Sequence, residues 1–582
     1  MPVRCLKSVL TGSLIASLGW LVSMSCPGAG GNTKPPGTRL GRRTGDEGQS
    51  MRRLLAAIVA TTVGLAVGGG MIPSAAQAHS GTPGYTPPPI AWGACVSATL
   101  QARGAECGFV VVPLDYARPR GTKIKLAVSR LKHKSAAADY QGVMLVNPGG
   151  PGGSGLIYSV LQSAIPNGAG LDYDWIGFDP RGVGSSVPAL TCDGNVAGYN
   201  RPYYVPVSRQ LEKTWLARSK AYAQACARAG GPLLDHLKTV DNVADMESIR
   251  KALGQKQINF YGFSYGTYLG QVYATLHPNQ VRRMVFDGVV DPRGVWYDAN
   301  LSQDVQFDKN MDTYFAWVAK YDAVYGLGTT GKAVKAKYYA TLQKLRTAPA
   351  EGKIGPDEWN DIFVSAGYYV YGWADVAAAF SAYVNEGDAS GLLELYPEPG
   401  PGTDNGYAVY LGTQCTDVQW PKSWSKWERD NWRTYQKYPF ITWNNAWFNA
   451  PCLFWKGDVG KPVNVNGKKS PPILLIGETN DAATPYPGSI EVRKRFPRSV
   501  LVEGVGGTTH SGSLSGIACT DDTIAAYLDN GTLPNRVRGN RSDKQCEPVP
   551  QPDPTAATAK TLTSAGSGSL KATLRNEAPP VR

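Results

Sequence analysis

Apolar runs recur along this chain with two periods. "CGFVVVPLDY" and "KIKLAVSRLK" are short and rich in β-branched residues, and they read as an early hairpin. "GVMLVNPGG" and "DWIGFDPRG" are buried strands that run into glycine turns. In "NVADMESIRKALG" the period changes: Val243, Met246, Ile249 and Leu253 share one helical face, and Gly254 stops the helix. "QINFYGF" is a strand, "YGTYLGQVYATLHP" a helix ended by Pro278, and "VRRMVFDGVV" a further strand. Residues 293–468 are rich in Trp and Tyr, with helical patches such as "FDKNMDTYFAWVAKYDAVYG". Strand texture returns in "PPILLIGETND" and "RSVLVEGVGG". Strands alternating with helices predict an α/β fold, a mostly parallel sheet covered on both faces. The helical insert, 293–468, falls before the last two strands and reads as a cap. It separates an N-terminal part, 93–292, from a C-terminal part, 469–546.

Composition changes this picture at the ends. The formal charge is +13, but the first 78 residues carry eight Lys/Arg against two Asp/Glu, and the remainder has no dense basic block. A nucleic-acid partner is therefore not expected. "MRRLLAAIVATTVGLAVGGGMIPSAAQA", from Met51 to Ala78, has the basic start, apolar core and A-x-A end of a secretory signal. Residues 1–50 read as upstream sequence before the true start, 79–92 as a Pro/Gly-rich linker, and 547–582 as a disordered tail. Once the signal is cleaved, a secreted monomer with no stable membrane association is expected.

Eight cysteines follow residue 78, an even number that suits export and disulfides. The simplest pairing joins sequence neighbours: Cys95–Cys107, Cys192–Cys226, Cys415–Cys452 and Cys519–Cys546. No C-x-x-C pair is present, so a structural zinc site is not expected. No other metal and no cofactor is expected either.

The candidate chemistry starts at Ser264, in "YGFSYGTYLG". G-x-S-x-G between a strand and a helix is a nucleophile elbow: the turn exposes the serine, and the helix N-terminus faces developing negative charge. Among five histidines, His79, His133, His236 and His277 have ordinary terminal, exposed, packing or capping explanations. His510 follows the final strand, where this architecture places a general base. Asp481 follows the preceding strand and would orient the imidazole; Glu478, three residues earlier, is its rival. The glycine-rich loop "LVNPGGPGGSG" supplies backbone donors, so Gly150 and Tyr265 are assigned to an oxyanion hole.

These pieces together, "NPGGPGGSG", "DWIGFDPRGVGSS", "GFSYGTYLG", "VFDGVVDP" and "NDAATPY", with "CTDDTIAAYLDNGTLP" near the C-terminus, resemble the secreted tripeptidyl aminopeptidases of actinomycetes, relatives of the proline iminopeptidases. The resemblance covers roughly residues 93–546. It implies an α/β-hydrolase fold with an eight-stranded sheet, a Ser264–Asp481–His510 triad, and release of short peptides from free N-termini. Two positions depart from it: Thr509 stands before His510 where relatives usually have Gly, and Glu478 replaces a usually small residue. Peptide substrates with a free amine call for a carboxylate, and Asp417 in "TQCTDVQWP" is the first candidate, with Glu478 also placed at the substrate pocket. A secreted esterase or amide/lactone hydrolase using the same three residues is the alternative.

Overall fold

The computed structural model describes residues 85–556; the expected signal and upstream segment lie outside these residues. Ten strands form one sheet in the order β1-β2-β3-β5-β4-β6-β7-β8-β9-β10. They are β1 (Gly93–Ala94), β2 (Glu106–Pro113), β3 (Lys123–Leu131), β4 (Val143–Asn147), β5 (Asp174–Phe178), β6 (Ile258–Phe263), β7 (Val281–Asp287), β8 (Leu474–Glu478), β9 (Val500–Gly504) and β10 (Lys544–Cys546). The pairings β1–β2, β2–β3 and β3–β5 are antiparallel. Every pairing from β5 through β4 to β10 is parallel. Eight of the strands were expected. The two additions, β1 and β10, are edge pieces of two and three residues, too short to leave a periodic signal.

Both faces of the sheet are covered, which is why its strands are apolar at successive positions. In β4, Val143 and Leu145 enter one core cluster while Met144 and Val146 enter the other. In β6, Ile258 and Phe260 alternate with Tyr261 and Phe263 in the same way. The predicted helix after Lys238 spans Thr239–Ala252, and Gly254 at φ +66° ends it as expected.

Between β7 and β8 the chain is helical, beginning with Tyr297–Lys320 and including Pro356–Tyr368 and Asn405–Asp417. Much of this segment packs around an aromatic cluster of its own, which includes Trp317, Trp359 and Trp373. The cluster also takes in Ala482 and Ala483 from the loop after β8, and Val549 beyond β10.

Both chain ends of the described region are more ordered than the sequence suggested. Tyr85, in the expected linker, donates its hydroxyl to Val111 O at 2.6 Å, and Trp92 lies under the Arg130 guanidinium. Within the expected tail, residues 547–556 pack: Val549 is buried, and Trp317 Nε1 donates to Pro552 O at 2.9 Å. Residues 557–582 lie outside the described ones. Among the described residues the disulfides are Cys95–Cys107, Cys192–Cys226, Cys415–Cys452 and Cys519–Cys546, each between successive cysteines. Among the described residues no helix is long and apolar enough to cross a membrane.

Candidate active site

Ser264 occupies the turn between β6 and the helix Tyr265–Leu276, with φ +55° and ψ −125°. A non-glycine residue there stores on the order of 1–3 kcal/mol of strain, held by its surroundings. Ser264 N donates to Asp287 O at 3.0 Å, and Thr267 Oγ1 donates to Ser264 O at 2.7 Å. The flanking glycines are required by space. A Cβ on Gly262 would lie 2.6 Å from Gly266 O, and one on Gly266 would lie 2.5 Å from Asn147 O. The elbow is thus wedged against β4, and both wedge positions exclude a side chain.

The glycine-rich loop after β4 closes over the same turn. A Cβ on Gly149 would meet Phe263 O at 2.6 Å and Ser264 Cβ at 2.8 Å. Gly149 N donates to Asn147 Oδ1 at 3.0 Å, so that N–H is engaged. Gly150, at φ +104°, is the next donor along the loop, and it borders the same cavity as Ser264 and Tyr265.

His510 and Asp481 meet as the sequence placed them. His510 Nδ1 lies 2.8 Å from Asp481 Oδ2 and 3.0 Å from Oδ1. Asp481 is fixed in turn by Ala483 N and Thr484 N, each 2.9 Å from Oδ1, and by Thr484 Oγ1, 2.8 Å from Oδ2. With the carboxylate on Nδ1, that nitrogen carries the proton and Nε2 is the free base. Among the described residues no group hydrogen-bonds to the buried Nε2. His510 and Ser264 both line a cavity of about 480 Å³, walled on its far side by the helical segment.

Glu478 and Asp417 do not reach this cavity, contrary to expectation. Glu478 is buried at the end of β8 and accepts from Thr509 N at 2.7 Å and Val549 N at 2.8 Å. It supports the histidine loop from below, and burial pushes its carboxyl up to about 8. Asp417 accepts from Thr239 N at 2.6 Å, Thr239 Oγ1 at 2.7 Å and Trp296 Nε1 at 3.1 Å. Burial raises it to about 6. Its influence on the cavity is indirect, since Trp296 lines the wall and Thr239 Oγ1 lies 2.8 Å from the Tyr265 hydroxyl. The acids that do border the cavity are Asp291, paired with Arg293 at 2.6 Å, and the exposed Asp298.

His133, expected to be exposed, is partly covered and pairs with Asp174 at 2.7 Å.

Several supporting residues escaped the sequence reading. Gln303, Gln306 and Asn310 recur along one side of the helix Tyr297–Lys320. They donate to Ala483 O, Asn480 O and Thr508 O at 2.7, 3.4 and 3.3 Å, tying the acid loop to the histidine loop. Their spacing of three and four in a partly apolar helix was the available signal. Tyr368 O accepts from His510 N at 2.8 Å, and Thr509 Oγ1 accepts from Val370 N at 3.3 Å. The Thr before His510 therefore anchors its loop to the helical segment. No local pattern announces such contacts.

The sheet, the strained serine turn and the Asp481–His510 pair define a serine hydrolase on the α/β-hydrolase fold. Residues 142–328 match the alpha/beta hydrolase fold family, and residues 438–546 match the TAP-like protein family. Over 481 residues the chain is 39% identical to the tripeptidyl aminopeptidase of Streptomyces lividans, covering 80% of this chain and 88% of that protein. It is 30% identical to serine protease Hip1 of Mycobacterium tuberculosis over 475 residues, covering 77% of this chain and 90% of that protein. Carboxylesterase B of the same organism is also 30% identical, over 489 residues, covering 78% and 90%. The chain belongs to the tripeptidyl aminopeptidase family of α/β-hydrolases.

Proposed function

We propose that this chain is a secreted, monomeric serine exopeptidase that releases short peptides, tripeptides in the first instance, from free N-termini. One observation carries the reading: the Asp481–His510 pair, the Ser264 turn and the Gly150 loop converge on a single cavity walled by the helical segment. That wall acts as a cap. It limits how much chain fits beyond the scissile bond, which is the requirement for an exopeptidase. The four disulfides among the described residues suit an oxidising compartment.

The chemistry runs through an acyl-enzyme. His510 Nε2 takes the Ser264 proton as Oγ bonds to the scissile carbonyl carbon. The N–H groups of Gly150 and Tyr265 hold the oxyanion. The tetrahedral adduct collapses, the C–N bond breaks, and His510 returns its proton to the leaving amine. Water then attacks the ester by the same route, releasing the peptide acid and restoring the Ser264 hydroxyl. The substrate's ammonium must be desolvated on entry, which costs several kcal/mol unless negative charge compensates. Asp298 and the C-terminal end of the helix Asn405–Asp417 supply that charge at the cavity wall.

The aromatic lining, with Tyr158, Tyr369 and Phe448, favours a second reading as an ester hydrolase with an apolar pocket. Chromogenic amides of one, two and three residues, free and N-acetylated, beside a short-chain ester, separate the two. The peptidase reading expects acetylation to lower kcat/KM by about 100-fold or more. Equal turnover of free and acetylated tripeptide amides would remove it and leave the ester hydrolase.

A further inference from the structure

Gln414 stands out on the cavity wall. Gln414 borders the same cavity as Ser264, it is 5% exposed, and among the described residues no group donates to its Oε1, which is closed off from solvent. Buried side-chain acceptors almost always have a donor, so an unpaired one on a residue that borders a substrate cavity points to the substrate, which Oε1 meets after a half-turn of the carboxamide.

Its neighbours are already satisfied. Tyr410, one turn earlier, donates its hydroxyl to Asn449 Oδ1 at 2.9 Å, and Asn449 Nδ2 donates to Asn300 Oδ1 at 3.2 Å. The turn carrying Gln414 is held from behind. Its own carbonyl accepts from Trp420 Nε1 at 2.8 Å, Cys415 is bridged to Cys452, and Asp417 is fixed by Thr239 and Trp296. The backbone therefore cannot shift easily to give Oε1 another partner.

The electrostatics favour a cation at this place. Gln414 lies in the last turn of the helix Asn405–Asp417, whose carbonyl end is negative. Among the described residues the only Lys or Arg bordering the cavity is Arg293, and it is paired with Asp291. Asp298 adds a carboxylate to the lining of the same cavity.

The geometry points to Gln414 as the specificity-determining acceptor for the free N-terminal ammonium of the substrate, its Oε1 accepting one ammonium N–H. The assignment rests on the exopeptidase reading above and names the group that reads the amine. A neutral acceptor suits a buried position. It satisfies one N–H directly, while Asp298 and the helix end supply charge without a carboxylate having to be desolvated at contact distance.

Two variants test it, Gln414→Met, which keeps bulk and removes the acceptor, and Gln414→Glu, which keeps an acceptor. Each is assayed on one tripeptide amide, free and N-acetylated. The free-to-acetylated ratio is taken within one preparation, so partial misfolding cancels. Gln414→Met is expected to lower kcat/KM for the free substrate by about 10- to 100-fold, mainly through KM, and to leave the acetylated one within about twofold. Gln414→Glu is expected to keep the preference for the free amine. An equal loss on both substrates in Gln414→Met would overturn the assignment, because the side chain would then only fill the wall. A Gln414→Glu variant that loses the free substrate as severely as Gln414→Met would also overturn it, because the carboxamide would then be donating to a carbonyl. If the wild type prefers the free amine and Gln414→Met keeps that ratio, this assignment falls while the exopeptidase reading stands. If the wild type shows no preference, both fall.

Discussion

Glu478 Oε2 accepts the backbone N–H of Thr509 at 2.7 Å, and Thr509 immediately precedes His510. The other oxygen takes Val549 N at 2.8 Å, so one buried carboxyl joins the histidine loop to the segment beyond β10. The carboxyl packs directly on Gly507, where an added Cβ would collide with Oε2. Glu478→Ala leaves two buried N–H groups without partners, at about 1–3 kcal/mol each. The expected result is a lower Tm together with a lower kcat, since the loop that loosens carries His510. Unchanged kcat in a destabilised variant would separate Glu478 from the site.

The same carboxyl gives a pH dependence of known sign. Its folded value is raised by burial from 4.5 to about 8. Below about 4.5 both folded and unfolded chains hold the proton, and nothing is lost. As pH rises toward 8 the unfolded chain ionises while the folded one does not, so folding loses stability across that window. Glu478→Gln removes this titration. The Tm difference, variant minus wild type, should therefore move in the variant's favour as pH rises from about 5 to about 8. Asp417, also raised, titrates in both proteins and cancels in the difference. A difference independent of pH would refute the assignment.

Ser264→Ala and His510→Ala should each lower kcat on the order of a million-fold, because nucleophile and base act as one unit. The double variant should be hardly slower than either single one. Melting curves of Ser264→Ala should remain cooperative. Near-normal turnover by His510→Ala would show that the proposed triad is wrong.

The elbow was legible because its constraint is local. Gly262, Ser264 and Gly266 are within five residues, and the strand and helix on either side have strong periods. Asp481 and His510 were legible for a related reason: each follows a recognisable apolar strand, and the parallel sheet delivers both ends to one edge. Side-chain direction was not legible. Asp417 was placed near the substrate by its neighbourhood in sequence, yet its partner Thr239 is 178 residues away. For Glu478 a signal did exist. Leu474, Ile476 and Glu478 alternate on one face of β8, and the first two enter the core, so the third had to be buried as well. The helix Arg209–Gly230 went unread because its buried stripe includes Ser219, Ala223 and Cys226 rather than large aliphatics.

Gly266→Ala tests the wedge against β4. The added Cβ would meet Asn147 O at 2.5 Å and Oδ1 at 2.9 Å, and the first of these is sheet backbone that cannot swing aside. A loss of about 1–3 kcal/mol is expected, with poor activity in whatever folds. Gly93→Ala, where nothing lies within 4 Å, is the control and should stay within about 0.5 kcal/mol of wild type. Comparable denaturation midpoints for the two variants would contradict the packing.

Asp417→Asn should behave as a structural lesion. The carboxylate accepts three hydrogen bonds, from Thr239 N, Thr239 Oγ1 and Trp296 Nε1. An asparagine turns an NH₂ toward at least one of those donors. A cost of about 1–3 kcal/mol follows, visible as a lower urea midpoint. The ratio of free to acetylated turnover should stay within about threefold of wild type, an energy difference smaller than a single hydrogen bond to a charged group. Loss of that ratio with an unchanged urea midpoint would restore Asp417 as a direct anchor.

Asp298→Asn should do the reverse. Asp298 is exposed in the first turn of the helix Tyr297–Lys320 and borders the cavity, so its charge is felt there through partly solvated space. Removing it forfeits a favourable helix-end charge of about 0.3–1 kcal/mol, a small change in stability. The substrate ammonium loses more, because entering the cavity strips it of water while the other bordering carboxylate, Asp291, is already paired with Arg293. The free-to-acetylated ratio should therefore fall several-fold, on the order of 1 kcal/mol at surface-like screening. The loss should appear in KM, because the charge acts equally on bound substrate and transition state. Salt should mimic it: raising ionic strength should narrow the gap between wild type and Asp298→Asn, while leaving a Gln414-dependent part that contact, not field, provides. A ratio unchanged in Asp298→Asn at low salt would mean that the cavity's field is set elsewhere, at the helix end beside Gln414.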